Sequence, residues 1–279
     1  MEMENRNFGS YDVPPTLQEL IRLKDELGGD DQFYLGLNFY LELTTLRYFN
    51  TPCDVVVFGS TGMDGIHYGF LTEFGTVDDL EQAPVVCVSP MNFDGPTKII
   101  ASDIKEFLSI ALTDEELFYN TFATEEDYRA AKQRWKEDEE SSPYGPTEEK
   151  IQRKEAIIRL IKERITLPHI ENPYRHLDRL DQQRQERVAV KTQDLLGVIG
   201  EFEEGEVHIP YYVHKDEDLN IDELRQYMSK APAVSKLAMV RDLQLNFVLW
   251  HEEKIREIVA DSLNSLNLKD EVKRLHEYE

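Results

Sequence analysis

The chain has 279 residues, 41% of them hydrophobic and 31% charged, with 55 acidic against 31 basic side chains and a net charge of −24. That length supports one large domain or two small ones, and the mixture of apolar and charged residues fits a globular protein. The absence of any apolar run near 18 residues argues against a membrane-spanning helix, and the acidity argues against binding nucleic acid or anionic membrane surfaces. The charge is uneven. Residues 1–150 carry 30 acidic and 11 basic side chains, whereas 151–279 carry 25 and 20. The opening MEMENRNFGS has neither a basic nor an apolar segment, so it does not read as a secretory signal, and a cytoplasmic location is expected. Cys53 and Cys87 are too few for a disulfide framework or a thiolate metal site, and they are expected to be buried thiols.

In chain order, Pro14-Pro15 precede a helix whose Leu17, Leu20, Ile21, Leu23 and Leu27 fall near i, i+3, i+4 spacing and which Gly28-Gly29 ends. Phe33–Phe49 is aromatic and leucine-rich with broken alternation, compatible with strand pairs or a helix. Asp54–Ser60, with Val55, Val56, Val57 and Phe58, reads as a buried strand. Asp64-Gly65 suits a two-residue hairpin turn, because both central positions need positive φ. The run 66–71 is then the partner strand, with Ile66, Tyr68 and Phe70 on one face and His67 and Leu71 on the other. Pro84–Val88 and Lys98–Ile100 are further strands, and Ser102 is expected to cap a helix carrying Ile104, Phe107, Leu108 and Ala111.

This order resembles the SUKH superfamily, known mainly as bacterial immunity proteins that bind and neutralise toxins. The likeness rests on Phe-Gly-x-Thr-Gly-x-Asp-Gly-x-His-x-Gly-Phe at 58–70, on Ile-Ala-Ser-x-Ile-x-x-Phe-Leu at 100–108, and on the leading helix. It covers about residues 14–112 and implies a fold and a toxin-binding role. It carries no active site or substrate.

Further along, Thr113–Trp135 reads as one or two short helices capped by Thr113 or Thr124, and Lys136–Pro146 as an exposed linker between regions 14–135 and 147–279. The two regions are expected to be separate or to pack as one unit. Thr147 should cap a helix with Ile151, Ile157, Ile158 and Ile161 on its apolar side. Val188–Lys191, Leu195–Phe202 and Val207–Val213 read as strands, the last two joined by a hairpin loop at 203–206. Asp222–Met228 is a short helix, and Val234–Leu266 is one long helix or two. The expected class is therefore α+β: a mixed helix and antiparallel-sheet front part, then a mainly helical region with a small β-hairpin.

For function, Asp64, Glu73, Asp78, Asp79, Glu81 and Asp94 fall in loops of the sheet, near Phe49, Tyr68, Phe74 and Phe93. Gathered at one surface, with His67 beside them, they would make an acidic, aromatic-lined face suited to a basic protein such as a toxin. The acids would steer association, and the rings would anchor it. A hydrolase built on Asp64 and His67 is the competing enzymatic reading, but no Gly-x-Ser-x-Gly or other nucleophile motif accompanies them. The seven histidines show no His-x-x-x-His spacing, the acids do not match an EF-hand, and FGSTGMDG lacks the Gly-Lys-Ser/Thr end of a phosphate loop. No metal or cofactor is expected. The reading is of a non-enzymatic binding protein, with a scaffold or regulator on the same fold as the alternative.

Overall fold

The computed structural model describes residues 7–44, 46–92, 95–214 and 219–277. Helix α1 (Pro15–Leu27) buries Leu17, Leu20 and Leu23, and stops where Gly28 turns left-handed at φ 94°. A second helix, α2 (Asp30–Leu37), occupies the stretch whose alternation is broken, and it leads into the two-residue strand β1 (Tyr40–Leu41). Strands β2 (Val55–Ser60), β3 (His67–Leu71), β4 (Val85–Val88) and β5 (Thr97–Ala101) follow, and the five form an antiparallel meander in sequence order. At the β2–β3 turn Asp64 and Gly65 take φ of 51° and 68°, as an Asp-Gly hairpin requires.

Both faces of the sheet are covered. Val56, Phe58, Tyr68, Phe70, Val85 and Cys87 join the core beneath α1, α2 and α3 (Ile104–Asp114), where Phe39, Phe58 and Phe107 meet edge to face. Val55, Val57, Leu71, Val86 and Val88 face the other way, under Leu46, Ile99 and Leu196. This double burial is why Val55–Phe58 of β2 is a continuous apolar run instead of alternating. The cap of α3 is Asp103, which accepts from the amides of Lys105 and Glu106. Ser102, one residue earlier, instead bonds Glu106 through its own amide and hydroxyl.

A short helix, α4 (Glu116–Tyr119), precedes α5 (Glu125–Ser141), which Thr124 caps; Thr113 lies inside α3. Residues 136–141, read from their charge as linker, are the solvated end of α5. Thr147 caps α6 (Glu148–Arg164) as expected. Its Ile157 and Ile161, with Ile165 and Leu177, belong to the first core, so the turn at 142–147 does not separate the two cores. Leu177 lies on α7 (Pro173–Arg187), a polar helix that apolar periodicity does not reveal.

The hairpin expected over 195–213 is not formed. Among the described residues there, one bridge joins Val190 to Val198, and the rest runs irregularly across the C-terminal helices. Those helices are α8 (Ile221–Lys230), α9 (Ala233–Leu245), α10 (Val248–His251), α11 (Glu253–Ser265) and α12 (Lys269–Leu275). They enclose a second core that also takes in Cys53 and Phe74 from the front of the chain. The long stretch 234–266 breaks at Phe247, held left-handed at φ 61°. Among the described residues no helix is long and apolar enough to cross a membrane.

Buried charge ties the two cores together. Arg241 is 1% exposed and pairs with Asp54 at 2.6 Å and Asp194 at 3.2 Å. Arg184 pairs with Glu73, and Arg274 donates to the Cys53 carbonyl at 3.0 Å. Gln244 completes the seam, accepting from the Cys53 amide at 2.9 Å. Separating any of these buried charges from its partner is costly, so the seam favours one arrangement of the halves.

Candidate protein-binding groove

An antiparallel meander sends alternate loops to opposite ends, and this divides the sequence-predicted acidic surface. Asp64 lies in the β2–β3 turn. Glu73, Asp78, Asp79 and Glu81 lie between β3 and β4, at the other end of the five-residue strand β3. At about 3.4 Å per residue, the two sets are held roughly 17 Å apart. Phe93 and Asp94 lie outside the described residues.

Burial divides the set again. Tyr68 is a core side chain, ringed by Phe39, Phe107 and Phe118. Glu73 is buried against Arg184, and Glu81 is 8% exposed, accepting the Thr16 amide and hydroxyl at 3.0 and 2.6 Å and pairing with Lys105. Phe74 is buried too, with the Arg241 guanidinium 4.9 Å from its ring centre. Phe49 is half-buried and stacks on Trp250. Asp78 and Asp79 remain exposed.

These two aspartates line a cleft of about 870 Å³ between the β3–β4 loop, residues 10–12 and residues 266–271. Asp12 also lines it and is exposed, while Tyr11, Leu80 and Leu268 supply apolar wall. The acids differ in freedom. Asp79 accepts the Glu81 amide and so starts a single 3-10 turn at Leu80–Gln82. Asp270 is held by the Ser10 amide and hydroxyl at 2.8 and 2.6 Å; those bonds keep its carboxyl below the usual range although burial opposes them. The rim is built on an uncommon backbone. Glu73, Phe74 and Gly75 are three successive left-handed residues, and the contacts to Arg184 and Arg241 hold the first two in that costly conformation.

Asp12 and Asp270 could not be found from the sequence. Neither falls in an acidic run near the sheet loops, and they meet Asp78 and Asp79 only because the chain closes residue 10 onto residue 270. Ser10 accordingly bonds to Asp270 across 260 positions.

His67 is fully buried. Its Nδ1 lies 2.7 Å from the Gly65 carbonyl, so that nitrogen carries the proton, and its Nε2 accepts from the Thr51 hydroxyl at 3.1 Å. The ring also stacks on Tyr48, with centroids 5.7 Å apart. Burial pushes its pKa down to about 4. Both nitrogens are therefore engaged away from Asp64, which is exposed on the turn. Burial likewise raises both thiols, Cys87 to about 12 and Cys53 further. Among the described residues no three His, Cys, Asp or Glu side chains are grouped to hold a metal ion.

Compared with protein-family models and with curated proteins, the chain matches none.

Proposed function

We propose that this chain is a non-catalytic protein-binding module, an immunity-type inhibitor that covers the basic face of a toxin. The observation that carries the reading is the cleft itself, where the exposed carboxylates of Asp12, Asp78 and Asp79 converge beside apolar wall from chain segments far apart in sequence. A cleft of that character accepts an Arg- or Lys-bearing segment: the carboxylates fix the cations, and the apolar wall covers their stems. The net charge of the front of the chain adds long-range attraction for a basic partner. The helix–sheet–helix order over residues 14–112 and the SUKH-like motifs support the toxin-binding role. A scaffold or regulator is the second reading, favoured by the second core, which residues 190–275 supply except for Cys53 and Phe74 and which a SUKH-like segment alone would not need.

The test is capture from host lysate on the purified protein, with bound proteins identified by mass spectrometry after washes at about 50 and about 300 mM salt. A basic toxin should be retained at low salt and released by the double reversal Asp78→Lys/Asp79→Lys. Reversal at Asp64, at the far end of the sheet, should leave capture intact. Capture indifferent to both salt and the double reversal would refute the groove as the binding face, and a non-toxic basic partner would favour the scaffold.

A further inference from the structure

A second cavity, sharing no residue with the acidic cleft, is built on α9. Ser235, Ala238, Met239 and Asp242 stand at i, i+3, i+4 and i+7, one face of that helix, and floor a space of about 510 Å³. Two stretches read from sequence as strands form its walls, residues 189–193 on one side and 208–212 on the other. Because they do not pair with each other, the second stretch crosses α9 as a strap. His208 Nδ1 lies 3.0 Å from the Ser235 hydroxyl, and the Ile209 amide donates to the same oxygen at 3.2 Å. The Tyr227 hydroxyl donates to the Ile209 carbonyl at 2.8 Å, and Gln193 Nε2 donates to the Val213 carbonyl at 2.9 Å.

The floor ends in a buried carboxylate. Asp242 is 9% exposed, and its Oδ1 accepts the Gln193 amide at 2.7 Å. Its neighbour Arg241 points the other way, to Asp54 and Asp194, and among the described residues no cation pairs with Asp242. Burial accordingly pushes its pKa up to about 7. Tyr211 and Tyr212 line the same space. Tyr211 is braced edge-on by Tyr227 at 5.0 Å, and Tyr212 is 74% exposed. Lys191 on the wall is exposed, where water screens its charge, and His208 beside it is exposed too.

We propose that this cavity binds a small organic ammonium ion, its charge against Asp242 and its body between Tyr211, Tyr212 and the Ala238–Met239 floor. A buried carboxylate gains from a cation brought into its own low-dielectric surroundings, and tyrosine faces attract the same charge. The volume lies in the range of small-ligand sites.

The test is an NMR titration of the full chain with phenethylammonium, alongside neutral phenethyl alcohol and anionic phenylacetate. Saturable shifts should appear at 189–193, 208–212 and 235–242 for the ammonium, with the alcohol at least about tenfold weaker. Asp242→Asn keeps an acceptor for the Gln193 amide, so the fold should survive while the dissociation constant rises about tenfold or more. Tyr212→Ala, at an exposed position, should raise it about threefold or more. Asp78→Lys/Asp79→Lys should leave it unchanged, which separates this site from the groove. No saturation by about 10 mM, equal binding of the alcohol, tighter binding of phenylacetate, or affinity indifferent to Asp242→Asn would each overturn the proposal.

Discussion

Protonating His67 should destabilise the native state, because its site is built for the neutral ring. The buried imidazole donates from Nδ1 to Gly65 and accepts at Nε2 from Thr51, so a second proton would have to reverse the Thr51 bond and bring a charge into a site closed to water. Its native pKa of about 4 lies below the 6.5 of a free imidazole. Between those values the unfolded chain binds more protons, so stability rises with pH in that window. The contribution is fully present above pH 6.5 and is lost as pH falls through about 4. From the two pKa values it amounts to about 2 kcal/mol lost by about pH 5, and about 3 kcal/mol by about pH 4. Asp54, Glu115 and Asp242 run the opposite way, because burial raises them to about 6, 7 and 7 and their stabilisation fades as pH rises. The wild-type profile alone therefore mixes signs. Urea unfolding of wild type and His67→Gln at about pH 7.5 and about pH 5 cancels the shared groups. The stability gap between the two proteins should shrink by about 2 kcal/mol at the lower pH. A gap constant within about 0.5 kcal/mol would refute the buried neutral imidazole.

Further outcomes follow from the packing. Arg241→Met strands Asp54 and Asp194 in the seam and should cost about 3–5 kcal/mol in urea unfolding, whereas a loss below about 1 kcal/mol would mean that water reaches the pair. A methyl added at Gly36 meets the Ile157 side chain, so Gly36→Ala should destabilise by about 1–3 kcal/mol, and Ile157→Ala should relieve part of that in a double-mutant cycle. Additive effects there would contradict the packing of α6 on α2. Asp103→Ala should cost about 1 kcal/mol through lost capping of α3, measurable as a lower urea midpoint. Cys53 and Cys87 should resist a thiol reagent at neutral pH until the protein unfolds; fast reaction of either in the native state would contradict its burial.

Much of the front half was legible because its signals are local. Leucines at helical spacing and Gly28-Gly29 mark α1, Asp64-Gly65 marks the β2–β3 turn, and Thr124 and Thr147 mark two helix starts. Helix α7 escaped notice because Leu177 and Arg184 are its only fully buried residues. Its Asn172 cap and Pro173 were nonetheless readable as a start signal. The charged run 136–141 suggested a linker, yet strings of Glu and Lys also propagate a helix whose faces stay in water. Residues 195–213 have strand-like composition, but Val198 bridges to Val190, and Ile209 and Val213 bond Ser235, Tyr227 and Gln193, so the two runs do not pair as a hairpin.

By itself the sequence determined what depends on near neighbours: where helices start and stop, which turn is tight, which runs avoid water, and an acidic charge concentrated toward the front. Only the tertiary structure decided which of those acids face outward together. Asp78 and Asp79 join Asp12 at one cleft, while Asp64 goes to the far end of the sheet and Glu73 and Glu81 are buried. The same holds for the seam that pairs Asp54 with Arg241 across 187 positions and for the cavity over α9. Propensity and periodicity act over a few residues, whereas the partner of a buried charge or the lining of a cleft is set by whichever distant segment packing brings alongside.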